Sequence, residues 1–344
     1  MKRKHILVIR LSAMGDVAMT VPVLKQLLEQ HPNIHLTVLT QPFFATLFEP
    51  LERTTIHFAE TKTKHKGLRG LYQLYRELKN QYKFDAVADL HNVLRSKLLT
   101  FWFRSSGIKT ATIDKGRKEK KQMTAKGNKR LVPLKTSFQR YADVFNQSGF
   151  SFTLNTSLIP YGKQTLPNAA INLISLTKKN ILIAPFAKHR EKMYPPDKMK
   201  RVIQELLKND QVQIFLLGGG KNETESLSEW EKEFTGVINL AGKFSFKEEQ
   251  AIISNMDLVV SMDSANMHLA SLFGVPVVSV WGATHPYAGF YGWNQSMDNA
   301  VQIDLYCRPC SVFGNKPCYR GDHACMKHLA EEKILERILL LIKD

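Results

Sequence analysis

Three stretches of the sequence gather side chains able to do chemistry. In RLSAMGDVAMTVP, residues 10–22, an apolar run ends, Gly15 allows a tight turn and Asp16 opens what reads as a helix. A carboxylate there can take a proton as a general base, or it can cap the helix, a common use of aspartate. In MDSANMHLA, residues 262–270, Asp263, Ser264 and His268 arrive where a strand becomes a helix. Backbone N–H groups at a helix start attract phosphate, and the helix dipole adds to the attraction. Ser264 could donate to a phosphate oxygen, and His268 follows one turn later on the same face; a capping residue and a packed histidine are the bland alternative. In PFAKHREKMYPPDKM, residues 185–199, Lys188, His189, Arg190 and Lys192 crowd a loop between strand and helix. One or two such cations suit a diphosphate; a solvated basic loop is the other reading.

Two further motifs are less specific. LLGGGKNETE, residues 216–225, is glycine-rich but lacks the G-K-[ST] ending of a Walker loop. Its glycines could let a nucleotide approach the backbone, with Glu223 or Glu225 accepting from a ribose. Four cysteines, Cys307, Cys310, Cys318 and Cys325, follow the pattern C-x2-C-x7-C-x6-C near the end of the sequence. They suit four-thiolate ligation of a structural zinc and equally suit a thiol-rich lobe without metal. Neither reading puts them in catalysis.

The elements that must position these groups alternate. HILVIRL, IHLTVLT and FDAVADL read as strands in the first half, with helices over 16–30 and 68–82. The second of these helices places Leu68, Leu71, Leu74 and Leu78 on one apolar stripe. The segment 114–130 is strongly basic with almost no apolar residues and reads as a mobile loop. Residues 150–178 read as the connection between domains. The second half repeats the scheme. NILIAPF, VQIFLL, GVINL, DLVVSM and VPVVSVW read as strands separated by helices, one of them capped by Asp197 after two prolines. The last sixteen residues form an amphipathic helix. Such βαβα alternation implies parallel sheets covered on both faces, with ligands beyond the carboxyl ends of the strands.

At 344 residues the chain has room for two domains. No segment has the apolar length needed to span a bilayer. Arg10 and Asp16 interrupt the apolar start, which argues against a signal peptide and for a cytoplasmic protein. The net charge of +17 calls for an acidic partner, or else only a basic solubility surface.

The opening, ILVIRLSAMGDVAMTVPVLKQLLEQHPNIHLTVLT, resembles that of the lipopolysaccharide heptosyltransferases of glycosyltransferase family 9, through Gly15, Asp16, Val21 and Pro22. DLHNVLRSKLLTFWFR is similar to a further segment of the same family domain. KMYP at 192–195 is similar to the family's Lys-x-Trp-Pro, with Tyr194 for tryptophan. SMDSANMHLASLFGVPVVSVWGATHP resembles its Asp-Ser/Thr-Gly-x-x-His segment with the strand that follows. The chain departs from the pattern at Ala265, Asn266, Ala283 and His285, beside the expected donor pocket.

The resemblance implies an α/β, GT-B architecture. An acceptor-binding Rossmann-like domain would span 1–165 and a nucleotide-sugar-binding one 166–328, facing it across a cleft, with a Cys-rich lobe at 305–328. A C-terminal helix, 329–344, would pack back on the first domain. It implies inverting transfer of heptose or a related sugar from a nucleotide-diphosphate donor, ADP-heptose in the first place, to a lipopolysaccharide inner-core acceptor. Asp16 is then the general base. Lys192, Glu225, Asp263, Ser264, His268 and Thr284 meet the donor; Ser12, Arg95, Lys118 and Lys120 meet the acidic glycolipid. No cofactor is required, zinc being at most structural, and no nucleic acid is expected. The enzyme would touch the cytoplasmic face of the inner membrane peripherally. Two competing readings are a sugar-nucleotide epimerase of the same architecture and, more remotely, a basic nucleic-acid-binding protein with a zinc-ribbon-like tail.

Overall fold

The computed structural model describes residues 2–343. The chain divides into two units: one runs to Arg117 and resumes over Lys135–Leu158, the other comprises Lys118–Leu134 and everything from Ile159 onward.

The first unit is built on a parallel sheet of β1 (Lys4–Ile9), β2 (Ile34–Thr40), β3 (Thr54–Phe58), β4 (Ala86–Asp89) and β5 (Lys109–Thr112), in the order β3-β2-β1-β4-β5. The central strand β1 is apolar from Ile6 to Ile9 without alternation, and all four residues are fully buried. This is the pattern of a strand covered on both faces. The order of strands reverses between β1 and β4, which leaves a crevice beyond their carboxyl ends.

Sequence and structure differ here in four places. The helix expected over 16–30 is two helices, Met14–Ala18 and Val21–Gln30, because Pro22 opens the second and proline is tolerated only in a helix's first turn. In the helix Gly67–Gln81 the buried stripe is Gly70, Leu71, Leu74, Tyr75 and Leu78. Leu68 sits at its margin and is 67% exposed. Strands β3 and β5 lie at the two edges and carry polar residues, which hid them from an apolar pattern search. The basic segment expected as a mobile loop contains a helix, Arg117–Met123, whose Met123 is fully buried, and from Lys118 onward it belongs to the second unit.

The second unit is built on β6 (Lys179–Ala184), β7 (Val212–Leu216), β8 (Val237–Asn239), β9 (Leu258–Met262), β10 (Val277–Val280) and β11 (Ala300–Val301). The order is β11-β10-β9-β6-β7-β8, again all parallel, with the reversal between β6 and β9. Asp197 lies inside the first turn of the helix Pro196–Leu206 and makes no cap bond. The division between units falls after Leu158 rather than 165. The C-terminal helix Glu331–Ile342 was expected to cross to the first domain; instead Ile334, Ile338 and Ile342 enter the core formed by β9, β10 and the helix Pro196–Leu206. Glu331 at its start pairs with Lys198 (3.1 Å) and Arg201 (2.6 Å). Among the described residues no helix is long and apolar enough to cross a membrane.

Candidate active site

At the reversal point of the first sheet, Arg10 follows β1 and Leu90 and His91 follow β4. Arg10 is 4% exposed. Its Nη1 donates to the Leu90 carbonyl at 2.6 Å, and its Nη2 pairs with Asp16 Oδ2 at 2.8 Å. The guanidinium stands over the Tyr141 ring, whose hydroxyl donates to the Asp16 carbonyl. Asp16 is the third residue of its helix, not the cap, which is Ala13; the capping reading of this aspartate is therefore replaced by an ion pair. Its side chain keeps 42% exposure while its partner is sunk.

Behind this pair, Asp89 is fully buried and accepts from the His91 and Asn92 N–H groups and from Ser96 Oγ. Burial pushes its carboxyl up, against those three hydrogen bonds. Burial, and then the Arg10 and Lys115 charges, hold the His91 imidazole down at about 3, so the ring is neutral at ordinary pH. Lys115 is lowered as well, by burial and by Arg10. Arg10 Nε and His91 Nδ1 are buried without a hydrogen-bond partner among the described residues. Ser12 is half-buried and Arg95 exposed, both in this unit; Lys118 and Lys120 belong to the other.

At the reversal point of the second sheet, the loop after β6 delivers Lys192 and the end of β9 delivers Asp263. Lys192 Nζ lies 2.8 Å from Asp263 Oδ2, the same oxygen that accepts from Thr284 Oγ1 at 2.8 Å. Asp263 is 3% exposed and Lys192 14%, so the carboxylate is consumed internally and the lysine is the more accessible partner. A buried ion pair of this kind is costly to break by removing one partner. Ser264 opens the helix Ala265–Leu272 and shares a hydrogen bond with Ser261 Oγ at 3.0 Å; His268 is buried one turn on. Glu225 projects to solvent, 3.8 Å from Lys221, whereas Glu223 folds back to accept from the Gly219 N–H.

The four cysteines are free thiols lining one small enclosure with Arg308 and Tyr319. Burial raises the Cys310 thiol and takes Cys325 to about 11. Among the described residues no three His, Cys, Asp or Glu side chains are grouped so as to hold a metal ion. Sequence reasoning assigns no role to Asp89, His91, Lys115, Tyr141, Arg10 or Arg308. Arg10 could have been found as the one charge ending an otherwise apolar strand; Arg308, among cysteines in a loop, gave no signal.

Two Rossmann-like units, each with an ion pair at its reversal point, have the fold of the GT-B class. The chain belongs to glycosyltransferase family 9 (heptosyltransferase), whose family model matches residues 71–317. Among curated proteins it is 27% identical to lipopolysaccharide core heptosyltransferase OpsX of Haemophilus influenzae, over 87% of this chain and 84% of that one. It is 24% identical to lipopolysaccharide heptosyltransferase 1 of Campylobacter coli, over 98% and 99%. Among solved structures, E. coli ADP-heptose lps heptosyltransferase II matches with a TM-score of 0.69 at 16% identity, covering 100% of this chain and 99% of that one. E. coli heptosyltransferase WaaC with ADP matches at 0.67 and 19%, covering 98% and 99%. These last two are likenesses of fold.

Proposed function

We propose that this enzyme transfers heptose from ADP-heptose to the inner core of lipopolysaccharide, with inversion at the anomeric carbon. The observation that carries the reading is an exposed carboxylate, Asp16, held at the mouth of a sheet by a buried guanidinium. The names of the relatives support the sugar, and those of the core transferases support the acceptor. Asp16 takes the proton of the acceptor hydroxyl as that oxygen bonds to the anomeric carbon. The bond from that carbon to the diphosphate oxygen breaks through an oxocarbenium-like state. The departing nucleoside diphosphate gains negative charge, which Lys192 and the helix start at Ser264 stabilise. Thr284 and Asp263 hold the Lys192 ammonium in place.

The proposed reaction uses no metal; dialysis against a chelator should leave turnover unchanged, and a loss restored by a divalent cation would contradict it. Exposed Lys118 and Lys121, with Lys126 and Arg130 further along, give the second unit a cationic segment for an acidic glycolipid and the anionic membrane surface around it. The test of the whole reading is an assay of nucleotide release from ADP-, GDP- and UDP-sugars with a Kdo-bearing core acceptor, and determination of the anomeric configuration of the product. Selective release from ADP-heptose and an inverted linkage are expected; retention, or no acceptor dependence, overturns it. The fold is also like that of a Listeria monocytogenes protein assigned by name as a UDP-N-acetylglucosamine 2-epimerase, at a TM-score of 0.57. Epimerised sugar appearing without acceptor would favour that activity instead.

A further inference from the structure

The thiol-rich lobe has no part in the chemistry just described, yet its backbone grips the donor-side cluster at several points. Arg308 is 3% exposed. Its Nη2 donates to the carbonyl of Thr284 at 3.0 Å and to Gln302 Oε1 at 2.8 Å, and its Nε to the carbonyl of Gly282 at 2.5 Å. The Cys310 and Ser311 N–H groups both donate to the Ala283 carbonyl, at 3.0 and 3.1 Å. The Ala283 N–H in turn donates to the carbonyl of Glu191, the neighbour of Lys192. At the far side of the lobe Gly314 adopts a left-handed conformation, φ +72°, in a turn where its N–H donates to Ser311 Oγ at 3.0 Å. A Cβ built on Gly314 would stand 2.6 Å from Lys192 Cγ, 2.9 Å from Cδ and 3.2 Å from Cε. Carbon atoms in ordinary contact are about 3.5–4.0 Å apart. The stem of the lysine therefore lies against bare glycine backbone, and a side chain there must move either the stem or the turn.

We infer that this lobe is a positioning element for the diphosphate clamp: Gly314 seats the stem of Lys192 while Arg308 fixes the loop that carries Thr284. The inference rests on the donor-site reading above, and concerns how the clamp is held rather than what it binds. Gly314 is a positioning residue, since it acts only through Lys192.

A double-mutant cycle on the full chain tests it, with ADP as the probe and calorimetric titration as the readout. Gly314→Ala should weaken ADP binding by about tenfold, the low end of what a disturbed hydrogen bond to a charged group costs. In a Lys192→Ala background, where the stem is gone, the same substitution should change ADP affinity by less than about twofold. Unchanged affinity in the first case, or equal weakening in both backgrounds, overturns the inference. If Lys192→Ala alone binds ADP as wild type does, the donor-site reading has failed and this inference falls with it; that result is distinct from the other two. Should Gly314→Ala not fold, Ser311→Ala decides the matter. It loosens the turn without adding bulk, and should weaken ADP binding about threefold in the wild-type background and not in Lys192→Ala.

Discussion

The reversal points of the two sheets hold the same device with its burial inverted. In the first unit the cation is sunk, Arg10 at 5% side-chain exposure, and the carboxylate faces solvent, Asp16 at 42%. In the second the carboxylate is sunk, Asp263 at 3%, and the cation is the more accessible partner, Lys192 at 14%. The member left accessible decides what the pair can do. An accessible carboxylate braced by a buried guanidinium is a base on a fixed mount. An accessible ammonium braced by a buried carboxylate and a threonine is a socket for an anion. The type of residue alone does not distinguish these uses.

The comparison can be broken at four points, of decreasing effect. Asp16→Asn keeps the shape of the first pair and removes its proton affinity, so kcat should fall about 10²–10⁴-fold while ADP binding stays near wild type. Normal turnover in that variant would dissolve the assignment. Lys192→Met removes the socket. One lost hydrogen bond between charged groups is worth about 1.5–3 kcal/mol, so ADP affinity should drop by roughly tenfold to a hundredfold, with thermal stability lowered because Asp263 is left buried and unpaired. An unaltered titration would show that the second pair is only structural.

Arg10→Met tests the mount. It deletes the hydrogen bond to Leu90 and the brace on Asp16. The expected loss of stability is about 1–2 kcal/mol, discounted because Asp16 can turn to water. A fall in kcat with donor KM unchanged should accompany it, partly restored in Arg10→Lys. Equal changes in both kinetic parameters would argue against a local effect.

The smallest effect concerns pH. His91 in the folded chain titrates at about 3, against 6.5 for the ordinary side chain. Below 6.5 the unfolded chain takes a proton that the folded one refuses, so stability declines as pH falls from 6.5 toward 3. The charges facing the ring are Arg10, Lys115 and Arg95, which oppose protonation, and Asp16, which favours it. His91→Gln should lose less stability than wild type between about pH 7.5 and 5 in urea titrations. Parallel losses would place the acid sensitivity elsewhere.

The strands that carry these pairs were plain in the sequence because they are apolar without alternation, and the four central ones, β1, β4, β6 and β9, are those that build the crevices. The edge strands β3 and β5 were not, since water on one side lets Thr54, Thr55, Lys109 and Thr110 stand in place of apolar residues. Asp16, Lys192 and Asp263 were legible from their place after a strand. Their pairing was not: it joins residues 71 positions apart in one case, and nothing local to Lys192 points to Asp263. The destination of the C-terminal helix is not legible in the sequence, because an amphipathic stripe states that a face is buried, not against what.

The segment Lys118–Leu134 is surrounded in sequence by the first unit but belongs to the second, where Leu134 donates to the Tyr287 carbonyl and Lys129 to those of Cys307 and Pro309. A ribosome releases these basic residues long before it has made the loops that receive them. For roughly half of the time the chain is being synthesised, therefore, this strip of positive charge has no berth and is exposed to whatever polyanion lies near. A partial chain ending before residue 287 should be retained on heparin to a higher salt concentration than its charge alone predicts.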